Sequence, residues 1–260
     1  MEREREREAL ETAALAGDIL LASGAEIFRV EETISFIARA FGVKSSESFV
    51  LSSGIFMTAG GRQEGDFARV RHIPLTGARL DRVTAVNQLS REIVAGKYTP
   101  AEAKARLLEI QRMPGKPKPH QVLASGIGSG CFCFLFGGDL VDSLAAFAAG
   151  TVLYLYLLCL VRGRLSKIAS NISGGALVTL LAVLFYQSGF GHHLGEIIIG
   201  SIIPLVPGVA FTNGIRDIAD EDYIAGSVRM LDALLVTFCI AMGVGLVMTV
   251  YYRMVGGAML

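Results

Sequence analysis

The sequence has no excess of charge of either sign, because its 24 basic residues are matched by 24 acidic ones. A protein that binds nucleic acid usually presents a basic surface to the phosphates, so this balance argues against such a partner. An apolar leader is also missing, since residues 2–8 alternate Glu with Arg. We therefore expect the first 120 residues to remain in the cytoplasm.

Cysteines and catalytic motifs are scarce as well. The four cysteines all fall in apolar stretches, and Cys131 and Cys133 lack the spacing of metal ligands. The sequence contains no Gly-x-Ser-x-Gly motif and no phosphate-binding loop. We therefore expect no enzymatic activity, no cofactor and no bound metal. The adjacent residues His192 and His193 are predicted to form an external polar turn.

The remaining charges divide the chain in two. Residues 1–120 hold 16 acids and 18 bases, whereas the following 140 residues hold only 8 and 6. The second part contains five uncharged runs, at 121–138, 143–161, 168–195, 197–215 and 233–252. A helix of about 20 residues crosses a hydrocarbon core of roughly 30 Å. The sequence predicts an α-helical membrane protein with five transmembrane helices, preceded by a small α+β cytoplasmic domain. The predicted limits are 1–113 for that domain, 114–120 for a Pro/Lys linker and 121–260 for the membrane domain.

Periodicity predicts the elements of the first domain. Apolar residues recur at helical spacing in 8–23, 27–41 and 80–94, and Thr99-Pro100-Ala101-Glu102 forms a capping box that starts a further helix. Three β-like runs, at 48–53, 55–59 and 67–73, surround a predicted turn at 60–65.

Basic residues concentrate in alternate loops of the second part. This pattern predicts a cytoplasmic N-terminus and an external C-terminus. The basic residues in the loops assigned to the cytoplasm are Arg112, Lys116, Lys118, Arg162, Arg164, Lys167, Arg216 and Arg229.

The fourth apolar run contains a Pro-x-x-Pro-Gly step. In lipid, an interrupted helix is tolerated only where protein or a water-filled cavity satisfies the freed backbone groups, which indicates a substrate path. Arg216 could bind an anionic substrate through a bidentate contact. Two other interpretations stay open, namely a simple proline kink and a pairing of Arg216 with Asp217, Asp220 or Asp222. The predicted path residues are Pro204, Pro207, Gly208, Thr212, Asn213, Arg216, Asp217 and, from the third run, Asn171.

Acidic residues near the ends of the runs are candidates for carrying a proton. In order of preference they are Asp142, Asp217 and Asp222. Helix capping explains Asp139, Asp142 and Glu196 equally well, because carboxylates are stabilised at helix N-termini. At the start of the third run, polar side chains could line a cavity, or Ser170 or Asn171 could cap the helix instead.

Three segments carry a resemblance to a known family. They are Pro204-Leu-Val-Pro-Gly-Val-Ala-Phe-Thr-Asn-Gly-Ile-Arg-Asp217, Leu21-Ala-Ser-Gly-Ala-Glu-Ile-Phe-Arg-Val-Glu-Glu-Thr33 and Phe136-Gly-Gly-Asp-Leu-Val-Asp142. The sequence resembles the threonine/serine exporter family over nearly its whole length. That resemblance implies a multi-pass protein of the bacterial inner membrane that exports a small amino acid, or a dicarboxylate such as succinate, driven by the proton gradient.

The resemblance is to the split form of the family, in which two proteins of five spans work together. It implies a second five-span membrane subunit, or a homo-oligomer, as partner.

Two other functions remain open at this stage. A membrane-anchored hydrolase would use Ser52, Ser53 or Ser129 as nucleophile, with His192 or His193. A regulatory or scaffold subunit would use the first domain to gate a transporter formed by other chains.

Overall fold

A computed structural model describes residues 2–43, 46–59, 67–73, 78–161 and 165–255. The described chain is mostly helical, with one small sheet. The predicted turn at 60–65 and the predicted loop residues Arg162 and Arg164 lie outside the described residues. The elements are α1 (Glu2–Ala22), α2 (Ile27–Ala40), β1 (Ser46–Leu51), β2 (Gly54–Ala59), β3 (Phe67–His72), α3 (Leu80–Val94), α4 (Pro100–Arg112), α5 (Lys118–Leu135), α6 (Leu140–Tyr156), a π-helical turn (Leu157–Val161), α7 (Lys167–Gln187), α8 (Leu194–Ile202), a 3-10 turn (Ile203–Leu205), α9 (Gly208–Ala219) and α10 (Tyr223–Val255).

The chain divides into two compact units, and each is discontinuous in sequence. The first unit combines Met1–Pro114 with Val209–Leu231, and the second combines Gly115–Gly208 with Asp232–Leu260. Helix α9 and the first turns of α10 therefore belong with the N-terminal elements. No predicted domain limit falls near residue 209 or 231, so the sequence did not indicate this return of the chain.

The first unit holds the predicted helices and short strands. Its sheet is antiparallel in the order β1-β2-β3, with Phe49 opposite Phe56 and Phe56 opposite Val70. Helix α2 buries Ile27, Ile34 and other residues at three- and four-residue spacing, as its periodicity predicts. Helix α1 starts at Glu2 rather than near residue 8, because the alternating Glu and Arg residues continue the helix.

The predicted capping box of α4 is present in full. The Thr99 hydroxyl accepts the amide of Glu102, and the Glu102 side chain accepts the amide of Thr99. Pro100 occupies the first turn, where the missing amide costs no hydrogen bond.

The second unit packs its helices closely through glycines. A Cβ atom added to Gly130 of α5 would lie 2.9 Å from the carbonyl oxygen of Ser143, and one on Gly243 of α10 would lie 2.1 Å from that of Ile172. No side chain fits at such distances, so the backbones meet directly there. Gly126, one turn earlier in α5, is equally close to α6, since its Cβ would lie 2.3 Å from the hydroxyl oxygen of Thr151.

Three helices are long and apolar enough to cross a membrane: Leu140–Cys159, Lys167–Gln187 and Tyr223–Val255. A fourth span is formed if the bent pair Leu194–Leu205 and Gly208–Ala219 counts as one crossing. Helix α5, which corresponds to the first predicted run, is not among the helices that are long and apolar enough to cross a membrane. The described residues thus give a multi-pass membrane protein with three or four spans by length and composition, and a fifth span stays a prediction.

Candidate functional site

The predicted interruption of the fourth apolar run is present. Helix α8 ends at Ile202, the 3-10 turn follows, and α9 begins at Gly208. Val206 is extended, with ψ of 125°, because a residue before proline disfavours the helical region. Pro204 and Pro207 have no amide hydrogen to continue the helical ladder.

Polar side chains of α9 and α10 contact the segment that joins α1 to α2. We call this segment, Gly24–Ile27, the docking turn. Asn213 donates its side-chain amide to the Gly24 carbonyl at 2.9 Å, and Arg229 donates to the Ala25 carbonyl at 2.8 Å. Arg216 forms an ion pair with the side chain of Glu26. Asp217 accepts the Ile27 amide at 3.1 Å. Four consecutive residues of the docking turn are therefore each bound by a different polar side chain of the first unit.

Asp217 and Arg229 form a buried ion pair beneath this turn. The carboxylate is 1% exposed and the guanidinium 5%, and their nearest atoms, Oδ2 and Nη1, lie 2.9 Å apart. The two atoms are close but not aligned as a hydrogen bond, and neither has another hydrogen-bond partner among the described residues. The attraction between them is therefore mainly that of two opposite charges in a poorly solvated place.

Asp217 also acts as the N-terminal cap of α2. Glu26 occupies the N-cap position of that helix but makes no capping bond with its own side chain. The Ile27 amide would have no partner inside the helix, so the carboxylate from α9 satisfies it. The negative charge at this end is also favourable to the helix dipole.

Arg216 lies on the open side of the same contact. Its side chain is 55% exposed, and that of Glu26 is 19% exposed. The second oxygen of Glu26 lies 4.0 Å from Nε of Arg29, so the carboxylate is flanked by two guanidinium groups. The alternative pairing of Arg216 with Asp217, Asp220 or Asp222 is not what the structure shows.

A second polar cluster, which we call the clasp, lies in the second unit at the start of α6. Asp139 and Asp142 cap this helix reciprocally, each accepting the other's amide at 2.8–2.9 Å. Asp142 also accepts the amides of His192 and His193 at 2.6 and 3.1 Å and the His193 ring nitrogen Nδ1 at 2.7 Å. Asp142 is fully buried, and it binds a turn that lies 50 residues later in the chain. The predicted cap and the predicted polar turn thus form one network.

Hydrogen bonds within the clasp shift the pKa values of His193 and Asp139. The carboxylate of Asp142 raises the pKa of His193, because it accepts a hydrogen bond from the ring and favours the charged imidazolium. The amide of Asp142 and then the ring of His192 lower the pKa of Asp139. The arrangement therefore favours a protonated His193 ring beside the carboxylate of Asp142.

The same cluster brings together groups that could ligate a metal. Asp139, Asp142 and His192 bring one potential ligand atom each within 4.8 Å of one another. Each oxygen of Asp142, however, already accepts two hydrogen bonds from protein donors. A cation would have to displace them, so the geometry favours a hydrogen-bonded clasp.

The other predicted residues lie apart from these clusters. Asn171 donates its side-chain amide to the carbonyl of Lys167 at 2.8 Å, one turn back in its own helix. Ser166, rather than Ser170 or Asn171, caps that helix, and its hydroxyl accepts the Ala169 amide. Thr212 is exposed on α9. Asp222 follows α9, and burial together with the charge of Asp220 raises its pKa.

Sequence reasoning missed the contacts of four residues, namely Arg229, Glu26, His192 and His193. It treated Arg229 only as a loop charge, although this residue lies in the first turns of α10 and is buried. It assigned no contact to Glu26, and it predicted a polar turn at the two histidines without linking that turn to Asp142. No local pattern pairs any of these residues with partners so distant along the chain.

Two of the three serines named for the hydrolase alternative, Ser129 and Ser52, are buried, whereas Ser53 is exposed. Ser129 is fully buried, and a Cβ atom on Gly150 would lie 2.0 Å from its hydroxyl oxygen, so α5 and α6 leave no room beside it. Ser52 is also buried. A nucleophile must be reachable by its substrate, which neither of these hydroxyls is in this conformation.

Comparison with known proteins agrees with a transport function. Residues 11–251 match the family model described as "Putative threonine/serine exporter". The "Threonine/serine exporter" of Corynebacterium glutamicum is 27% identical over 241 residues, which cover 90% of this chain and 49% of that protein. The "Probable succinate transporter subunit YjjP" of Escherichia coli (strain K12) is 25% identical over 256 residues, covering 96% of this chain and 98% of that protein.

Similarity at lower identity extends to a third protein, and the relatives differ in length. The "Pheromone-regulated membrane protein 10" of Debaryomyces hansenii is 23% identical over 238 residues, covering 89% of this chain and 23% of that protein. The chain spans about half of the Corynebacterium protein and nearly all of the Escherichia one. No solved structure matches the chain.

Proposed function

The chain belongs to the threonine/serine exporter family, whose members are membrane transporters and not enzymes, and from this we propose that it is one subunit of a secondary transporter. It exports a small amino acid, threonine or serine, or a dicarboxylate such as succinate, in exchange for protons. The observation that carries the proposal is the family match over residues 11–251, which includes an apolar segment broken between Ile202 and Gly208.

In this proposal the chain spans the bacterial inner membrane five times, with α5 as the first crossing. The first domain lies in the cytoplasm and the C-terminus lies outside. The basic residues at the start of α5 and α7 and the absence of Lys and Arg from 138–142 and 189–196 support this orientation. Helix α5 is short and polar at its start, so it needs protein neighbours on several sides.

The substrate path follows the break in the fourth crossing. Backbone groups around Pro204, Pro207 and Gly208 meet the solute, since an interrupted helix offers carbonyls and amides that a continuous one does not. Arg216 supplies the charge that a substrate carboxylate needs. Asp217 and Arg229 position the segment that carries Arg216, because both are buried in the docking contact.

Proton coupling is assigned first to Asp142, together with His193. The clasp joins a buried carboxylate to an imidazole whose pKa is raised, so a proton can be shared between two groups of one network. Asp222 is the next candidate, since burial raises its pKa. Asp217 is less suited than the sequence suggested, because it is held by Arg229 and the Ile27 amide.

The partner is a second five-span subunit, or another copy of the chain. Two facts support a partner: the Escherichia relative carries the word subunit in its name, and the Corynebacterium relative is about twice as long as the matched part.

Reconstituted transport tests the proposal. Proteoliposomes would contain the chain alone, or the chain with a candidate partner, and would carry labelled threonine, serine or succinate across an imposed pH gradient. We expect gradient-dependent flux of at least one solute, and a loss of flux in Arg216→Gln with normal insertion. Arg253→Gln, at the far end of α10, is the matched control. Absence of flux for all three solutes in both preparations would contradict the proposal.

The same variants separate a path-forming subunit from a scaffold. A scaffold subunit would tolerate Arg216→Gln, because transport would run through the partner alone. Asp217→Ala is unsuitable for this purpose, since it breaks a buried ion pair and would act through folding.

A further inference from the structure

We propose that Arg216 and Arg29 form a carboxylate-binding site, that Glu26 fills this site in the present conformation, and that a substrate carboxylate displaces Glu26 from it. The inference rests on the proposed transport function, for which it names one binding residue pair and one internal competitor. It concerns only residues of the first unit.

The present occupant shows what the site accepts. One oxygen of Glu26 is paired with the guanidinium of Arg216, and the other lies 4.0 Å from Nε of Arg29. Glu26 is also at the N-terminal end of α2, a helix of 14 residues, where a negative charge is favoured. A carboxylate from solution would find the same two guanidiniums and the same helix end.

Glu26 has no capping duty that would keep it there. Residues at the N-cap position usually accept an amide of the first turn with their own side chain. Glu26 makes no such bond, and the carboxylate of Asp217 accepts the Ile27 amide instead. The side chain of Glu26 can therefore move away without uncapping α2.

The docking contact has a buried ion pair that stays in place and two exposed arginines that can exchange their partner. Asp217 and Arg229 are 1% and 5% exposed, so separating them would leave charges without water. The side chains of Arg216 and Arg29 are 55% and 62% exposed. Exposed ion pairs contribute little to stability, so a dissolved carboxylate can compete with Glu26 for them while the buried pair keeps the turn in place.

The chemistry of the site points to small carboxylates. The planar guanidinium of Arg216 matches both oxygens of a carboxylate in a way that a lysine does not. Threonine, serine and succinate all carry this group. The two arginines recognise only the carboxylate group. Other residues must therefore distinguish an amino acid from a dicarboxylate.

Equilibrium binding to the full-length chain in detergent tests the inference. Succinate and threonine are titrated separately by calorimetry into wild type, Glu26→Gln, Arg216→Gln and Arg216→Lys. We expect Glu26→Gln to tighten the apparent Kd several-fold for the solute that binds, since an internal competitor reduces affinity by the fraction of sites left free. Arg216→Gln should weaken binding about tenfold or more, and Arg216→Lys should fall between. Glu32→Gln, which removes one charge from the same helix, is the matched control.

Several outcomes would overturn the inference. An unchanged or weaker affinity in Glu26→Gln would show that Glu26 is not a competitor. Equal tightening in Glu32→Gln would assign the effect to net charge. Absence of binding of both solutes to wild type and to Glu26→Gln would also overturn it. Circular dichroism of each variant checks that helix content is retained, and Arg216→Lys keeps the test decisive if Arg216→Gln is misfolded.

The result can be told apart from a failure of the transport proposal. Flux that persists while Glu26→Gln leaves affinity unchanged would remove this site and keep the transporter. Binding that tightens in Glu26→Gln without any flux in proteoliposomes would keep this site and remove the proposed export.

Discussion

The buried pair of Asp217 and Arg229 gives the sharpest structural prediction. Asp217→Asn keeps an oxygen that can cap α2, but it leaves the Arg229 charge buried with only the Ala25 carbonyl as partner. Arg229→Met leaves the Asp217 charge buried with only the Ile27 amide. Removing one partner of a buried ion pair costs about 3–5 kcal/mol. We expect each single variant to lose stability of this order in the docking contact.

The double variant should lose much less than the sum of the two singles. With both charges gone, the introduced asparagine is still placed to accept the Ile27 amide, and the introduced methionine fills part of the space of the arginine. The main loss is then the single hydrogen bond to Ala25, worth about 1 kcal/mol. The two substitutions should therefore be coupled by several kcal/mol in a double-mutant cycle, with the double variant more stable than either single one.

Hydrogen exchange followed by mass spectrometry measures this locally. A loss of about 3 kcal/mol corresponds to roughly 100-fold faster exchange for amides protected by local opening. The peptide that contains Ile27 should show this acceleration in both single variants and only a fraction of it in the double one. Asp232→Asn, which breaks an exposed pair with Lys167, is the control and should change exchange by less than about tenfold. Additive effects in the double variant, or unchanged exchange near Ile27 in the singles, would refute the reasoning.

Three further predictions concern other parts of the chain. Gly226→Val should destabilise the α9–α10 contact by about 1–3 kcal/mol, because its Cβ would lie 2.8 Å from the Ile218 amide nitrogen. Thermal melting should show this, whereas Gly245→Ala, with open space around it, should be neutral or slightly stabilising. The clasp should hold the 190–194 turn most firmly below pH 6.5, the ordinary pKa of histidine, and less firmly as pH rises through the raised folded-state pKa of His193, which faces Asp142, Asp139 and Glu196. Exchange of this turn, corrected for the intrinsic rate, should lose that pH dependence in His193→Gln, and its persistence would contradict the assignment. Thr99→Ala should cost about 1 kcal/mol in thermal unfolding through loss of the capping box, and an unchanged melting temperature would count against it.

Local signals predicted the elements well. The spacing of Ile27 and Ile34 identified the buried face of α2, and Thr99-Pro100-Ala101-Glu102 identified the start of α4. Pro204 and Pro207 identified the break before α9. Each of these signals depends on neighbours within a few residues, where backbone geometry and hydrogen bonding decide the outcome.

Contacts between distant segments could not be predicted in the same way. Asp217 caps a helix that begins 190 residues earlier, and Asp142 binds a turn 50 residues later. No sequence pattern near either residue identifies its distant partner. The sequence therefore identified Asp142 as a proton carrier or a cap without its histidines. It identified Arg216 as a substrate ligand, or as a partner of nearby aspartates, without Glu26.

The docking contact also changes how two of the three segments that carry the family resemblance are interpreted. The motif at 204–217 and the motif at 21–33 contact each other through Asn213–Gly24, Arg216–Glu26 and Asp217–Ile27. A shared motif can therefore reflect a shared internal contact as well as a shared substrate. Asn213 and Asp217 are engaged with backbone groups that would otherwise lack partners, so solute binding would uncover those groups at a cost. Arg216 is the member whose partner is a side chain without a capping role, and it is therefore the member on which a solute can act without undoing the fold.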